Sequence, residues 1–301
     1  MPASSCAPDT AVPMFRNGQP LPAVLVRKFL LTRVPGRRLF GCALLLMLAQ
    51  AVCAQPPTTV QLQDLSWTEL RDRIAAGSTT IIIPIGGTEQ SGPDIALGKH
   101  NARAAWLAQK IAEGLGNALV APVIAYVPEG SVAPPSGHMR FPGTITVPDA
   151  AFEQVLASAA ESFAAHGFRH IVLLGDHGGY QQDLQRVVAR LNKRWAGSPA
   201  RAFAPPQYYA ASSTGYAALL RRQGYRHDEI GTHAGLADTS LQLAVAPGMV
   251  RVDKLRDGSR PGAAEGVHGD PRRASATLGQ LGVNLIVEQT IAAIRKDTAG
   301  R

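Results

Sequence analysis

The run TTIIIPI, residues 79–85, is apolar and largely β-branched, with no alternation of polar residues, and IVLLG at 171–175 repeats the pattern. A strand with one wet face alternates apolar with polar side chains, whereas an uninterrupted apolar strand is covered on both faces. ALVAPVIAYV (118–127) is a third such run, and ARAFAP (200–205) a weaker fourth. Helical patterns lie between them: NARAAWLAQKIAEGLG, with Asn101 reading as the N-cap, PDAAFEQVLASAAESFAAHG from Pro148 to Gly167, and YQQDLQRVVARLNKRW from Tyr180. WTELRDRIAAG precedes the first strand, and TGYAALLRRQG and SATLGQLGVNLIVEQTIAAIRK follow the last. Buried strands alternating with helices predict an α/β fold of three layers, α/β/α, around a mostly parallel central sheet. No repeat or linker divides this region.

The N-terminal segment has another character. VPGRRLFGCALLLMLAQAVCAQPP holds an arginine pair, an apolar run at 39–52 and then small residues. The run is roughly 14 residues, short of the ~20 that span a bilayer. Val52 and Ala54 occupy the two positions a signal peptidase reads, so cleavage is expected after Ala54. RRLF (37–40) also resembles the twin-arginine export pattern. Residues 1–54 are therefore read as an export signal with an N-terminal extension, and 55–301 as a single domain. The mature chain is expected to be periplasmic or secreted, by the Sec or Tat route, without stable membrane insertion. Residues 1–54 carry six Lys/Arg and one Asp, so five of the eight net positive charges leave with them. The remaining charge, +3, is no argument for nucleic acid. All three cysteines (Cys6, Cys42, Cys53) fall in the same segment, so any metal must be held by histidine and carboxylate.

In a parallel sheet, ligands bind at the carboxyl ends of the strands. Glu89 and His100 follow the first strand, and Asp176 and His177 the third. GTHAGLADTS adds His233 and Asp238, and the Pro/Gly-rich excursion PEGSVAPPSGHMRFPGT carries Glu129, Ser136, His138 and Arg140. Long ordered loops tend to be functional. Singly, each residue reads as a capping carboxylate or a hydrogen-bonded histidine; gathered at strand ends they favour a site for Zn²⁺, Mn²⁺ or Fe²⁺. There is no P-loop, no G-x-G-x-x-G and no G-x-S-x-G.

EQSGPDIALGKH, FPGT, GDHGG and HAGLADTS resemble the creatininase (creatinine amidohydrolase) family, whose usual forms are E-Q-H-G-P-H-L-P-L-G-T-D, F-P-G-T, N-G-H-G-G-N and H-A-G-x-x-E-T-S. The resemblance runs from about Trp67 to Lys296. It implies hydrolysis of C–N bonds in small cyclic or formylated amides, dependence on a divalent metal, and a homo-oligomer, frequently a hexamer. By that resemblance Glu89, His100 and His177 stand at the first-metal positions, with histidine replacing the bridging aspartate at His100. Ser91 replaces the second-metal histidine, and Gly179 stands where a carboxylate would align. A neutral imidazole does not bridge two cations as a carboxylate does, so one metal ion is expected. The resemblance makes His233 the proton donor to the departing nitrogen. Asp238 either orients His233 or ligates the metal, Asp176 fixes a ligand imidazole, and Ser136 and His138 shape the substrate pocket. The expected function is a mononuclear hydrolase of a small cyclic or related amide other than creatinine. The alternative is a periplasmic binding protein on a catalytically decayed creatininase fold.

Overall fold

In the computed structural model, which describes residues 58–299, the isoleucine run becomes strand β1 (Thr80–Ile85), buried at every position. The described residues belong to one compact unit, Gln55–Arg301; the export signal expected over 1–54 lies outside them. Helix α1 (Trp67–Ala75) precedes β1 and opens on a capping box between Ser66 and Glu69. Then follow α2 (Lys99–Leu115), β2 (Ala118–Val120), α3 (Asp149–Ala165), β3 (His170–Gly175), α4 (Gln181–Arg194) and β4 (Arg201–Phe203). Beyond the sheet come α5 (Pro206–Ala210), which runs through a π-helical stretch at Ala211–Gly215 into α6 (Tyr216–Arg222), then α7 (His227–Ile230), α8 (Leu236–Val245), α9 (Val252–Asp257) and α10 (Ala276–Thr298).

The four strands pair in parallel in the order β2-β1-β3-β4. Successive side chains of a strand point to opposite faces, and the two faces of β1 fill separate cores. Ile81, Ile83 and Ile85 pack with Phe152 and Leu156 of α3 and Leu184 and Val187 of α4. Ile82 packs on the other side with Leu107 and Ile111 of α2, Leu241 of α8 and Val283 and Ile286 of α10. This is the three-layer α/β/α arrangement. Among the described residues no helix is long and apolar enough to cross a membrane.

Two local expectations need correction. The third apolar run keeps strand pairing only over Ala118–Val120, with Ala121 N still donating to Ile82 O at 2.8 Å before the chain leaves the ladder. Contact resumes at Ile124, whose N–H donates to Pro84 O at 3.0 Å. The same break explains a proline inside a central strand, since the donor Pro84 lacks would face the stretch where β2 has left off. Helix α2 begins at Lys99, with Gly98 before it, and not after Asn101. The Asn101 side chain instead accepts from Gly87 N (3.0 Å) and donates to Thr88 Oγ1 (3.1 Å), holding the loop after β1 against the helix.

Helix α10 lies close against α8 because Gly279 has no side chain; a Cβ there would stand 1.8 Å from Ser240 O. Backbone cannot yield as a flexible side chain does, so Gly279→Ala is expected to cost about 1–3 kcal/mol by overpacking. Denaturant melts of the variant and the parent chain measure this directly.

Candidate metal centre

Between β1 and β3 the chain order reverses, and a crevice opens at such a switch point beyond the strand ends. The loop after β1 brings Glu89 and Gln90; the loop after β3 brings Asp176 and His177. The Tyr180 hydroxyl ties the two together, accepting from His177 N (3.1 Å) and sharing its proton between the carbonyls of Ile85 (2.9 Å) and Gly86 (2.7 Å). The FPGT segment braces the first loop: Gln90 N donates to Thr144 Oγ1 (3.1 Å) and Ile145 N to Thr88 O (2.9 Å). Gly87, at φ +147°, leaves room for Glu129, whose Oε1 would lie 2.7 Å from a Cβ there.

Glu89, Glu129, His138 and His177 each present one donor atom, and the four lie within 4.8 Å of one another. Glu89 Oε2 is 3.1 Å from His138 Nε2 and 3.4 Å from His177 Nε2, and Glu129 Oε2 is 3.7 Å from His177 Nε2. Ligands about 2.0–2.2 Å from a tetrahedral Zn²⁺ stand roughly 3.3–3.6 Å apart, so these separations suit a shared ion. Among the described residues, Glu89 Oε2 and both oxygens of Glu129 have no hydrogen-bond partner although they are buried. Buried acceptors left so are costly, and a cation between them satisfies three at once. Burial, followed by the neighbouring Glu89 carboxylate, pushes the Glu129 carboxyl up to about 9. Burial lowers His177 to about 4, against the opposing pull of Glu89, so its imidazole is neutral and able to ligate. These residues form a buried acidic and histidine cluster able to chelate one metal ion.

This donor set differs from the expected Glu89, His100 and His177. His100 reaches Glu89, but both its ring nitrogens face carboxylates, Nε2 at 2.8 Å from Glu89 Oε1 and Nδ1 at 2.5 Å from Asp176 Oδ2. Asp176 thus does hold an imidazole, that of His100. It also accepts from Arg103 Nε (2.8 Å) and Tyr208 Oη (3.0 Å). Asp238 is engaged away from the His233 ring: it accepts from Lys99 Nζ (2.6 Å), Arg103 Nη1 (2.6 Å) and Ala234 N (2.9 Å). Burial would raise both aspartates, but Arg103 beside Asp176, and Lys99 with Arg103 beside Asp238, hold them below their ordinary range. For Glu89, too, burial is outweighed by His100 and Lys99.

Two residues of the cluster, His138 and His177, line a cavity of about 430 Å³ whose walls include Tyr209, Ser213, Arg221 and Thr232. His233 borders it, stacked on His138 at 4.5 Å, with Nε2 3.0 Å from Gln90 O. The same nitrogen lies 3.2 Å from the Gln90 side-chain amide nitrogen, and Nδ1 lies 3.7 Å from Glu89 Oε1. Ser136 does not line this cavity; its hydroxyl accepts from Ser131 N at 2.8 Å and shapes its own loop. Sequence reasoning missed Glu129 and His138 as donors, and Lys99 and Arg103 altogether. One signal was present: Lys99, Arg103, Leu107 and Ile111 are spaced by four, so the two cations share the core-facing stripe of α2.

Fold and candidate metal cluster together support a creatininase-like hydrolase. Residues 63–294 match the family described as Creatininase: Creatinine amidohydrolase. The chain belongs to the creatininase family. It is 29% identical over 221 residues to the mycofactocin precursor peptide peptidase of Mycolicibacterium smegmatis, covering 66% of this chain and 78% of that one. It is 27% identical over 199 residues to the creatinine amidohydrolase of Pseudomonas putida, covering 64% and 75%. The crystal structure of a creatinine amidohydrolase (creatininase) superposes with a TM-score of 0.69 at 22% identity, covering 81% of this chain and all of that one.

Two outcomes test the cluster. Glu129→Gln, His138→Ala and His177→Ala should each weaken Zn²⁺ retention by about tenfold or more; elemental analysis after dialysis reads this. Unchanged retention in both would return the donor set to Glu89, His100 and His177. Zn²⁺ binding to metal-free protein at pH 7 should also release about one proton, because Glu129, pushed up to about 9, is protonated there until the cation arrives. Titration calorimetry in buffers of different ionisation enthalpy counts that proton.

Proposed function

We propose that this chain is an exported hydrolase, carrying one divalent metal ion, that cleaves a C–N bond in a small cyclic amide or a related amide. The observation that carries the reading is the convergence of Glu89, Glu129, His138 and His177, the two histidines of which line a substrate-sized cavity. Small-molecule sites run from about 300 to 1,000 Å³, so 430 Å³ admits a linear amide as well as a ring. Creatinine is not the proposed substrate, because Ser91 and Gly179 replace groups the family's dinuclear members use.

When bound, a Zn²⁺ or Mn²⁺ ion would polarise the substrate carbonyl and acidify a water. The protein's own residues handle the proton and the geometry. Burial, then Lys99, push His233 down to about 3, so its resting imidazole is neutral. His233 lines the cavity and, neutral at rest, relays a proton, taking one from the attacking water and returning it to the leaving nitrogen. Gln90 fixes the ring through its carbonyl and its side-chain amide, 3.0 and 3.2 Å from Nε2. Asp238 acts at one remove, by holding Lys99 and Arg103 in place.

The decisive experiment is a screen of metal-loaded protein against lactams, cyclic ureides and formamides. Turnover of one class, lost on chelation and regained with Zn²⁺ or Mn²⁺, is the expected result. A chain that holds one ion per molecule yet binds a panel compound without cleaving it would be a binding protein on this fold. For an active substrate, His233→Ala should keep its metal and slow turnover by about 10²–10⁴-fold; equal loss of metal would show that His233 is a ligand.

A further inference from the structure

The cavity that His138 and His177 line has a second wall, built from the segment that follows the sheet. There α5 runs through the π-helical stretch Ala211–Gly215 into α6, and Ser212, Ser213 and Arg221 of this segment line the cavity. A π-helical turn is rare and tends to occur at functional sites.

Arg103 and Arg221 both line the cavity, in opposite situations. Arg103 is buried, and it donates to Asp176 from Nε and to Asp238 from Nη1. Those two aspartates have further partners, Asp176 in His100 and Tyr208, and Asp238 in Lys99 and Ala234 N. Arg221, in the last turn of α6, is exposed, and among the described residues its guanidinium has no hydrogen-bond, ion-pair or ring partner. The acids nearest to it in sequence are engaged elsewhere: Asp228 accepts from Arg226 and Arg260, and Glu229 from Arg273. A guanidinium presents planar, paired donors that match a carboxylate. The Ser212 and Ser213 hydroxyls donate to Tyr209 O (3.0 and 2.7 Å), so they meet a ligand as acceptors and suit an N–H beside that carboxylate.

We infer that the substrate is an amide bearing a carboxylate, which the Arg221 guanidinium binds, and that Arg221 is the residue that selects for it. The inference rests on the hydrolase reading above and names its substrate class. An arginine near a helix C-terminus also interacts favourably with the helix dipole, whatever else it does. Arg222 shares that position and is exposed too, but it does not line the cavity. It therefore separates a ligand-binding role from a general charge effect.

The test uses Zn²⁺-loaded protein and three matched pairs: pyroglutamate, hydantoinacetic acid and formylglycine, each against its carboxamide. Turnover is assayed, and binding is followed by calorimetry. Wild type should favour the acid of a pair by about tenfold or more in kcat/KM, as expected of a charge-assisted hydrogen bond. Arg221→Gln should bring that preference to about one by raising KM, with kcat changed less than about twofold. Arg221→Lys keeps the charge without the fork and should retain part of the preference. Arg222→Gln should leave it intact, and Zn²⁺ retention should be the same in every variant. Acids and carboxamides handled alike, a preference that survives Arg221→Gln, or equal loss in Arg222→Gln overturns the inference and spares the hydrolase reading. Acids bound through Arg221, with no compound cleaved, overturn the hydrolase reading and keep the carboxylate site. Neither binding nor turnover of any pair overturns both.

Discussion

The structure around the crevice depends on four carboxyl groups buried close together. Glu89 and Asp176 are almost wholly enclosed, and Glu129 and Asp238 nearly so. Isolated carboxylates in such surroundings would protonate or be expelled. Arg103 and Lys99 hold Asp176 and Asp238 ionised, and His100 joins Asp176 to Glu89. What they leave uncompensated is the pair of oxygens on Glu89 and Glu129 that face His138 and His177. Every other feature of the site positions those four donors or shields them from water.

That positioning follows from the topology. β1 and β3 are neighbours although β2 comes between them in sequence, so their loops leave the sheet side by side. The Tyr180 hydroxyl binds the two loops at their roots, and Thr144 and Asn101 hold the first from either side. Glu129 and His138 arrive on the excursion after β2, which leaves the sheet beyond Ile124, where Gly86 N donates to the Ile124 carbonyl. The family's recognisable FPGT segment therefore plays a mechanical part, because its threonine fixes the backbone of the residue after Glu89.

β1 and β3 could be read from the sequence because a short, uninterrupted, β-branched apolar run ending in glycine has few alternatives to a strand covered on both faces. Helices α3, α4 and α10 carried equally plain signals in their periodicity and their flanking Pro148, Gly167 and Ser275. Asn101 misled because an asparagine before a helical pattern resembles a cap, whereas its side chain is committed to the loop after β1. His100 misled for a related reason. Motif position brings it to Glu89, but the direction of its two ring nitrogens is set by Asp176, 76 residues further on. Lysine ordinarily reaches into solvent, and only its place on the core stripe of α2 distinguishes Lys99 from a surface lysine.

The sequence by itself determined the layered α/β fold, membership of the creatininase family, and the small group of acids and histidines from which any site must be drawn. Those properties are carried by local pattern and residue chemistry, which need no partner to be read. Only the tertiary structure decided which of those groups meet: that Glu129 and His138 join Glu89 and His177, that His100 spans two carboxylates, and that Lys99 faces inward. Coordination and charge balance depend on distances of a few ångströms between loops far apart in the chain. No periodicity encodes such distances; they are fixed when strands, helices and loops pack.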